Sequence, residues 1–216
     1  MQGTWFTNPF NGTLRTSTAG ASSLTGTLTI GSTGVLNLGN QLNPAAGANL
    51  ILNNTAANSL TGAALGKINI INMVTVTLGP GFNNSTLDGD RFLNPITGSL
   101  NTGGNLTATG TATPILQFNT TNGVFNITGT LTIASGKTIF MNNTAAGSLP
   151  GSGTFAATDN TSILRFVAAA NGGAVSGNIF SNPWNGRLRI DGALELGATF
   201  GATGSSIFNA GPNAIL

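Results

Sequence analysis

The sequence predicts an all-β fold, a right-handed parallel β-solenoid of about ten rungs of roughly 21–22 residues each. Three observations predict it. Apolar residues recur at i, i+2 in short runs, as in Leu28/Ile30, Leu36/Leu38, Ile68/Ile70, Val74/Val76/Leu78, Phe125/Ile127, Leu131/Ile133 and Leu188/Ile190, and a period of two is the strand period. A nine-residue phrase, FTNPFNGTL at Phe6–Leu14, returns as FLNPITGSL at Phe92–Leu100 and FSNPWNGRL at Phe180–Leu188, 86 and then 88 residues later. Inside that long period several runs rhyme at about 21 residues, Gly26 with Gly47 and Ile30 with Ile51.

Other markers keep the long period in the same order. LNNTAANSLTG at Leu52–Gly62 matches MNNTAAGSLPG at Met141–Gly151, and TGVLNL at Thr33–Leu38 matches NGVFNI at Asn122–Ile127, both 89 residues later. The chain therefore reads as one repeat array over residues 1–216, with units at about 6–91, 92–179 and a partial 180–216. About four rungs would make one unit, and ten rungs stacked about 4.8 Å apart would make a rod of roughly 45–50 Å. The pattern runs on to Leu216, which implies an excerpt from a longer array. The architectural alternative is a tandem of immunoglobulin-like β-sandwiches of about 87 residues. The 21-residue rhyme and the absence of Cys and Tyr speak against it.

Each element follows from this frame. The strands are runs of four or five residues bounded by Gly, Asn or Pro. No segment holds a period of 3.6, so almost no helix is expected. Leu, Ile, Val and Phe take the inward positions. Thr, present 32 times, takes outward ones, where its branched Cβ favours extended backbone and its hydroxyl meets water. Gly (32) and Asn (28) supply the corners that need positive φ.

In the nine-residue phrase Pro9, Pro95 and Pro183 cannot donate to a ladder and belong at corners. Asn8, Asn94 and Asn182 precede them and are biased to extended backbone. Gly12, Gly98 and Gly186 follow to close the turn, and the residue after Pro (Phe10, Ile96, Trp184) is a packing plug, bulky and apolar but variable. Asn53–Asn54 and Asn142–Asn143 are the candidates for an asparagine ladder from rung to rung.

Composition excludes most chemistry. Charged residues are 6% of the chain, and its seven Lys and Arg exceed its five Asp and Glu by two. The high pI reflects the lack of His, Cys and Tyr rather than a basic surface. Only Arg187 and Arg189 lie close in sequence, so no phosphate-neutralising stripe is visible and no nucleic acid is expected as a partner. No run of 18 apolar residues occurs, so no membrane insertion of this segment is expected.

Without His or Cys, zinc ligation and the common proton shuttles and nucleophiles drop out. Asp88 and Asp90, in LDGDR, are the one close acidic pair and a weak metal candidate, more simply read as a turn beside Arg91. Asp191 and Glu195 make a poor catalytic pair for want of supporting groups. The expectation is no cofactor and no catalysis.

Thr-x-Thr pairs such as Thr27/Thr29 and Thr130/Thr132 occur at irregular steps, against the regular column that ice binding would need. Trp5, Phe10 and Trp184 are aromatic rings beside a Thr/Asn surface on which a polysaccharide could stack.

The segments TGTLTIGSTGVLNLGNQL (Thr25–Leu42) and TGTLTIASGKTIFMNNTAAGSLPGSGTF (Thr128–Phe155) resemble the Gly/Thr/Asn-rich strand repeats of very large bacterial surface proteins, the filamentous-haemagglutinin-like and autotransporter adhesins among them. The resemblance implies an extracellular, cell-surface location and a role as the stalk or fibre-forming segment of a secreted adhesin. It carries no functional residues over. The expected partners are other copies, through end-to-end association into filaments, and extracellular glycans or host surfaces. A polysaccharide-binding module is the alternative function, with ice binding and a polysaccharide lyase behind it.

Overall fold

Alternation in the sequence becomes alternation in burial: Val35–Leu38, Thr75–Leu78, Ser99–Thr102, Val124–Ile127, Thr130–Ile133 and Thr138–Met141 all run half-buried, buried, half-buried, buried. The computed structural model describes residues 1–119, 121–181, 183–192, 195–197 and 207–210. It is 42% strand and 9% helix, a β-solenoid of about 7 turns. Every strand pairing among the described residues is parallel. The tandem β-sandwich, built from antiparallel pairs, is thereby overturned.

The chain visits three faces in fixed order. The first face stacks Thr27–Ile30, Asn49–Leu52, Thr75–Leu78, Ser99–Thr102 and Val124–Ile127. The second carries Thr13–Arg15, Val35–Leu38 and Leu60–Gly62, then Thr86–Asp88, Leu106–Thr109, Thr130–Ile133 and Thr154–Ala157. The third carries Ser22–Leu24 and Leu42–Pro44, single bridges at Ile68 and Phe92, then Leu116–Phe118, Thr138–Met141, Ile163–Val167, Arg187–Asp191 and Ile207–Ala210. Inward residues from all three merge into one core, with phenylalanines gathered at mid-length: Phe118 stacks on Phe125 with centroids 4.5 Å apart, and Phe125 meets Phe155 edge-on at 5.8 Å.

The turn is longer than the sequence rhyme. Leu28, Leu50, Val76, Leu100 and Phe125 stand in one column, at offsets of 22, 26, 24 and 25 residues. Strand length is fixed by stacking, but corners take extra residues freely. The corner at Gly81–Ser85 does so with four positions of positive φ, Gly81, Asn83, Asn84 and Ser85. A turn of 22–26 residues means fewer rungs than the ten expected.

The long repeat is not a whole number of turns. Phe10 pairs with Ile30, whose column continues through Leu52, Leu78 and Thr102 on the first face. Its equivalent Ile96 falls one face before Thr102 and pairs with Phe118 on the third. Phe180, in the third copy of the phrase, pairs with Phe155 on the second. One repeat thus winds through eleven faces, three and two-thirds turns, where the rhyme predicts four. The three copies of the phrase occupy three different sides of the rod. That phase shift is also why the shorter rhyme in the sequence is loose.

Candidate functional site

The repeated phrase is a structural corner whose polar chemistry points at the next turn. Asn8 donates through Nδ2 to the Thr27 carbonyl (3.2 Å) and accepts at Oδ1 from Thr29 N (2.9 Å). Asn94 donates to the Pro114 and Ile115 carbonyls (3.3 and 3.2 Å) and accepts from Gln117 N (2.9 Å). The carboxamide acts as one residue of ladder where the following Pro9 or Pro95 has no N–H. Both of these Asn-Pro bonds are cis. Asn182, in the third copy, lies outside the described residues, while Pro183 beside it is exposed. After the proline, Ile96 and Trp184 are buried and Phe10 is half-buried.

Gly12, Gly98 and Gly186 are not the positive-φ closers expected of them. They are points of close approach: a Cβ on Gly98 would sit 2.1 Å from the Ile71 oxygen, one on Gly186 2.4 Å from Ala157 Cβ, and one on Gly12 2.9 Å from the Phe10 ring. The phrase is also longer than nine residues. Gly3, Gly89 and Gly177 each open a single 3-10 turn, and Phe6, Phe92 and Phe180 N donate back to them (3.2, 3.1 and 3.1 Å). Reading three residues leftward to GTWF, GDRF and GNIF would have revealed it.

The proposed asparagine ladder is differently wired. Asn54 and Asn143 are fully buried, whereas Asn53 is exposed and Asn142 half-buried. The residues above them that receive the link are Asn83 and Asn171, whose N–H groups donate to the Asn54 and Asn143 carbonyls (2.8 Å each). The Oδ1 atoms of Asn83 and Asn171 then accept from Ser59 N and Leu149 N (2.9 and 3.1 Å). Both stand in the left-handed region, at φ 46° and 52°, which Asn tolerates through its short polar side chain. Asn143 donates to the Gly123 and Ser148 carbonyls (3.0 and 3.2 Å). A true side-chain ladder joins Asn69 Nδ2 to Asn43 Oδ1 at 3.1 Å, a pair the sequence did not single out.

Asp90 stitches one turn to the next, and Asp88 holds the Arg91 that reaches the turn below. Asp88 accepts from Asp90 N (3.0 Å) and from Arg91 Nε (3.2 Å), and Arg91 Nη1 reaches down to the Ala63 and Gly66 carbonyls (3.0 and 3.1 Å). Asp90 reaches up, accepting from Thr111 N and Oγ1 (2.7 Å each) and Ala112 N (3.0 Å). All four carboxylate oxygens are engaged by protein donors, and no group of three acidic, His or Cys residues that could hold a metal stands among the described residues.

Burial alone would raise the Asp90 carboxyl. The bonds from Ala112 and Thr111, with the Lys67 charge, outweigh it and hold the group below the usual range. A lowered folded pKa contributes stability that is present above about pH 4 and lost as pH falls through the folded value. Asp159 and Asp191 are lowered too, so the melting temperature should be flat from pH 7 to about 5 and fall below about 4. Asp90→Asn should cost about 1–2 kcal/mol at pH 7 and make the acid fall shallower; thermal melts across that range check it, and identical acid limbs for both proteins would refute it.

One surface is not spent on stitching. On the outward side of the third face, Phe140 pairs in register with Arg165 and Arg165 with Arg189, while Thr138 pairs with Ile163 and Ile163 with Arg187. These six residues line a groove of about 290 Å³, closed on one side by Thr113–Pro114. The Arg165 guanidinium lies 4.2 Å from the Phe140 ring centroid, a cation–π placement. Asp191 at the groove's margin accepts from Arg165 and from Arg189 Nε (2.9 Å). Its own burial would raise it, and the two guanidiniums prevail and lower it. The Nε of Arg187 has no hydrogen-bond partner among the described residues.

The sequence showed Arg187 and Arg189 together but not Arg165. ILRFV at Ile163–Val167 and RLRID at Arg187–Asp191 stack at 24 residues, which a 21-residue rhyme conceals. Glu195 pairs away from Asp191, opposite Ala174 in a separate two-stranded sheet, so those two acids are not a pair.

No protein-family model, no curated protein and no solved structure matches this chain.

Proposed function

We propose that this chain is a stalk or fibre-forming segment of a secreted, surface-attached bacterial adhesin, with shape rather than catalysis as its output. The observation that carries the reading is the direction of its polar chemistry. Asn8, Asn94, Asp90, Arg91, Asn83 and Asn171 all spend their side chains on the turn above or below. A chain whose corners bond along its axis resists extension and bending, which is what a stalk requires. The eleven-face repeat supports the same reading, since it distributes the corner plugs around the rod rather than along one side.

The test is to insert one further copy of the 92–179 repeat and measure the particle by small-angle scattering and negative-stain microscopy. The rod should lengthen by about 18 Å, three and two-thirds rungs, at unchanged width. An insert that adds a separate globular bead would sink the proposal.

Glycan recognition is the second reading. Its original aromatic platform does not survive: Trp184 is 1% exposed and Phe10 is half-buried, leaving Trp5, 72% exposed, as the open ring of the three. The arginine groove is the observation that keeps recognition in play. Ice binding loses its basis on the first face, where the outward columns run Thr27, Asn49, Thr75, Ser99, Val124 and Thr29, Ile51, Thr77, Asn101, Asn126 instead of paired threonines.

A further inference from the structure

We infer that the outward groove of the third face is a binding site for an anionic polysaccharide, with Arg187 and Arg189 holding its acid groups and Phe140 and Ile163 packing against its sugar rings.

The charge is unusual for this molecule. Three of the chain's seven basic residues meet in one groove against a single acid, Asp191, an excess of two positive charges that equals the net charge of the whole chain. Arg91, by contrast, is engaged by Asp88 and two carbonyls. In the groove Arg165 is held between the Phe140 ring and Asp191, and Arg189 is 48% exposed with one bond to Asp191. Arg187 is half-buried, and its buried Nε has no hydrogen-bond partner among the described residues. A guanidinium presents a planar fork that fits a carboxylate or sulfate with two parallel bonds.

Burying a guanidinium N–H without a partner is costly in an ordinary surface strand. Nothing in the solenoid requires an arginine there. Its register partner one turn below, Ile163, shows that the position accepts an aliphatic residue.

Chain geometry favours a polymer over a small anion. The groove runs along the rod axis, crossing the strands from Thr138 and Phe140 through Ile163 and Arg165 to Arg187 and Arg189. Neighbouring rungs repeat about every 4.8 Å, so the two columns step from Phe140 to Arg165 to Arg189 and from Thr138 to Ile163 to Arg187 along a line rather than converging on a point. The apolar floor of Phe140, Ile163 and Pro114 suits the C–H faces of pyranose rings, while the cations select acidic ones. Sulfated and uronate polymers share this chemistry, and the experiment separates them.

The purified chain is titrated by calorimetry with oligogalacturonate, with a sulfated heparin fragment and with neutral dextran, at low and physiological salt. Binding to one or both acidic polymers but not to dextran is expected, weakening as salt screens the cations. Arg187→Ala and Arg189→Ala should each weaken it roughly ten- to hundredfold, and Arg187→Lys should only partly restore it, because the ammonium lacks the fork. Arg15→Ala, an exposed cation on the second face, should leave affinity unchanged. Thermal melts verify that each variant is folded, and Phe140→Leu gives a further groove variant should an arginine variant fail to fold. Absence of binding to either acidic polymer overturns the site, as do groove variants that bind like wild type or an equal loss from Arg15→Ala. None of these outcomes depends on whether the rod is a stalk.

Discussion

Phe125→Ala should be among the most damaging single substitutions in this protein, lowering stability by about 3–5 kcal/mol. Phe125 is 1% exposed, stacked on Phe118 with an interplanar angle of 19° and edge-on to Phe155 at 66°. Truncation removes a buried ring, leaves a cavity and breaks two aromatic pairs at once. Adjacent turns cannot collapse into the gap, because Val124–Ile127 is held in register to Ser99–Thr102 by a backbone ladder.

The damage should also be local. In a stacked repeat each rung contacts its neighbours only, so hydrogen exchange should accelerate in the rungs around residues 100–155 and leave the first two turns near their wild-type rates. Phe125→Leu should cost less than about 1.5 kcal/mol, since Leu28, Leu50 and Leu100 fill the same column on the turns below. A melt of Phe125→Ala within a degree of wild type, or a uniform rise in exchange, would refute the packed column.

Much of this fold was legible because a solenoid writes its structure locally. Period-two burial and the place of the prolines at corners follow from neighbours in sequence, and Leu28, Val76 and Leu131 could be assigned inward from their own strands. The length of the turn was not legible in the same way. It is a sum over corners, and corners such as Gly81–Ser85 vary in length without any change in the strands they join. An error of a few residues per turn displaces every predicted vertical neighbour. That one error hid the stacking of Arg165 on Arg189, the link from Asn54 to Asn83, and the eleven-face phase of the repeat. The nine-residue phrase was readable as a corner. The role of its asparagine was not, because Asn94 bonds residues 114, 115 and 117, chosen by the turn length rather than by the phrase.

The glycines divide into two kinds that sequence alone does not separate, and a pair of alanine substitutions should tell them apart. Gly98→Ala should cost about 3 kcal/mol and lower the melting temperature by roughly 6–12 °C. The new methyl would lie 2.1 Å from the Ile71 oxygen and 2.6 Å from the Val74 oxygen. Neither carbonyl is free to retreat: Ile71 O accepts from Val74 N (3.0 Å), and Val74 O accepts from Ser99 N (2.9 Å). Gly98 itself is tied to Ile70 O at 3.0 Å, so relief requires the corner to part from the turn below.

Gly136 is the opposite case. Its φ is +69° and a Cβ there would meet nothing within 4 Å, so Gly136→Ala should cost only the left-handed penalty of about 1–2 kcal/mol. If the two variants melt together, or if Gly136→Ala is the worse, then backbone conformation rather than close approach governs these corners. The reading of Gly98 and Gly186 as contact points between turns would then fail.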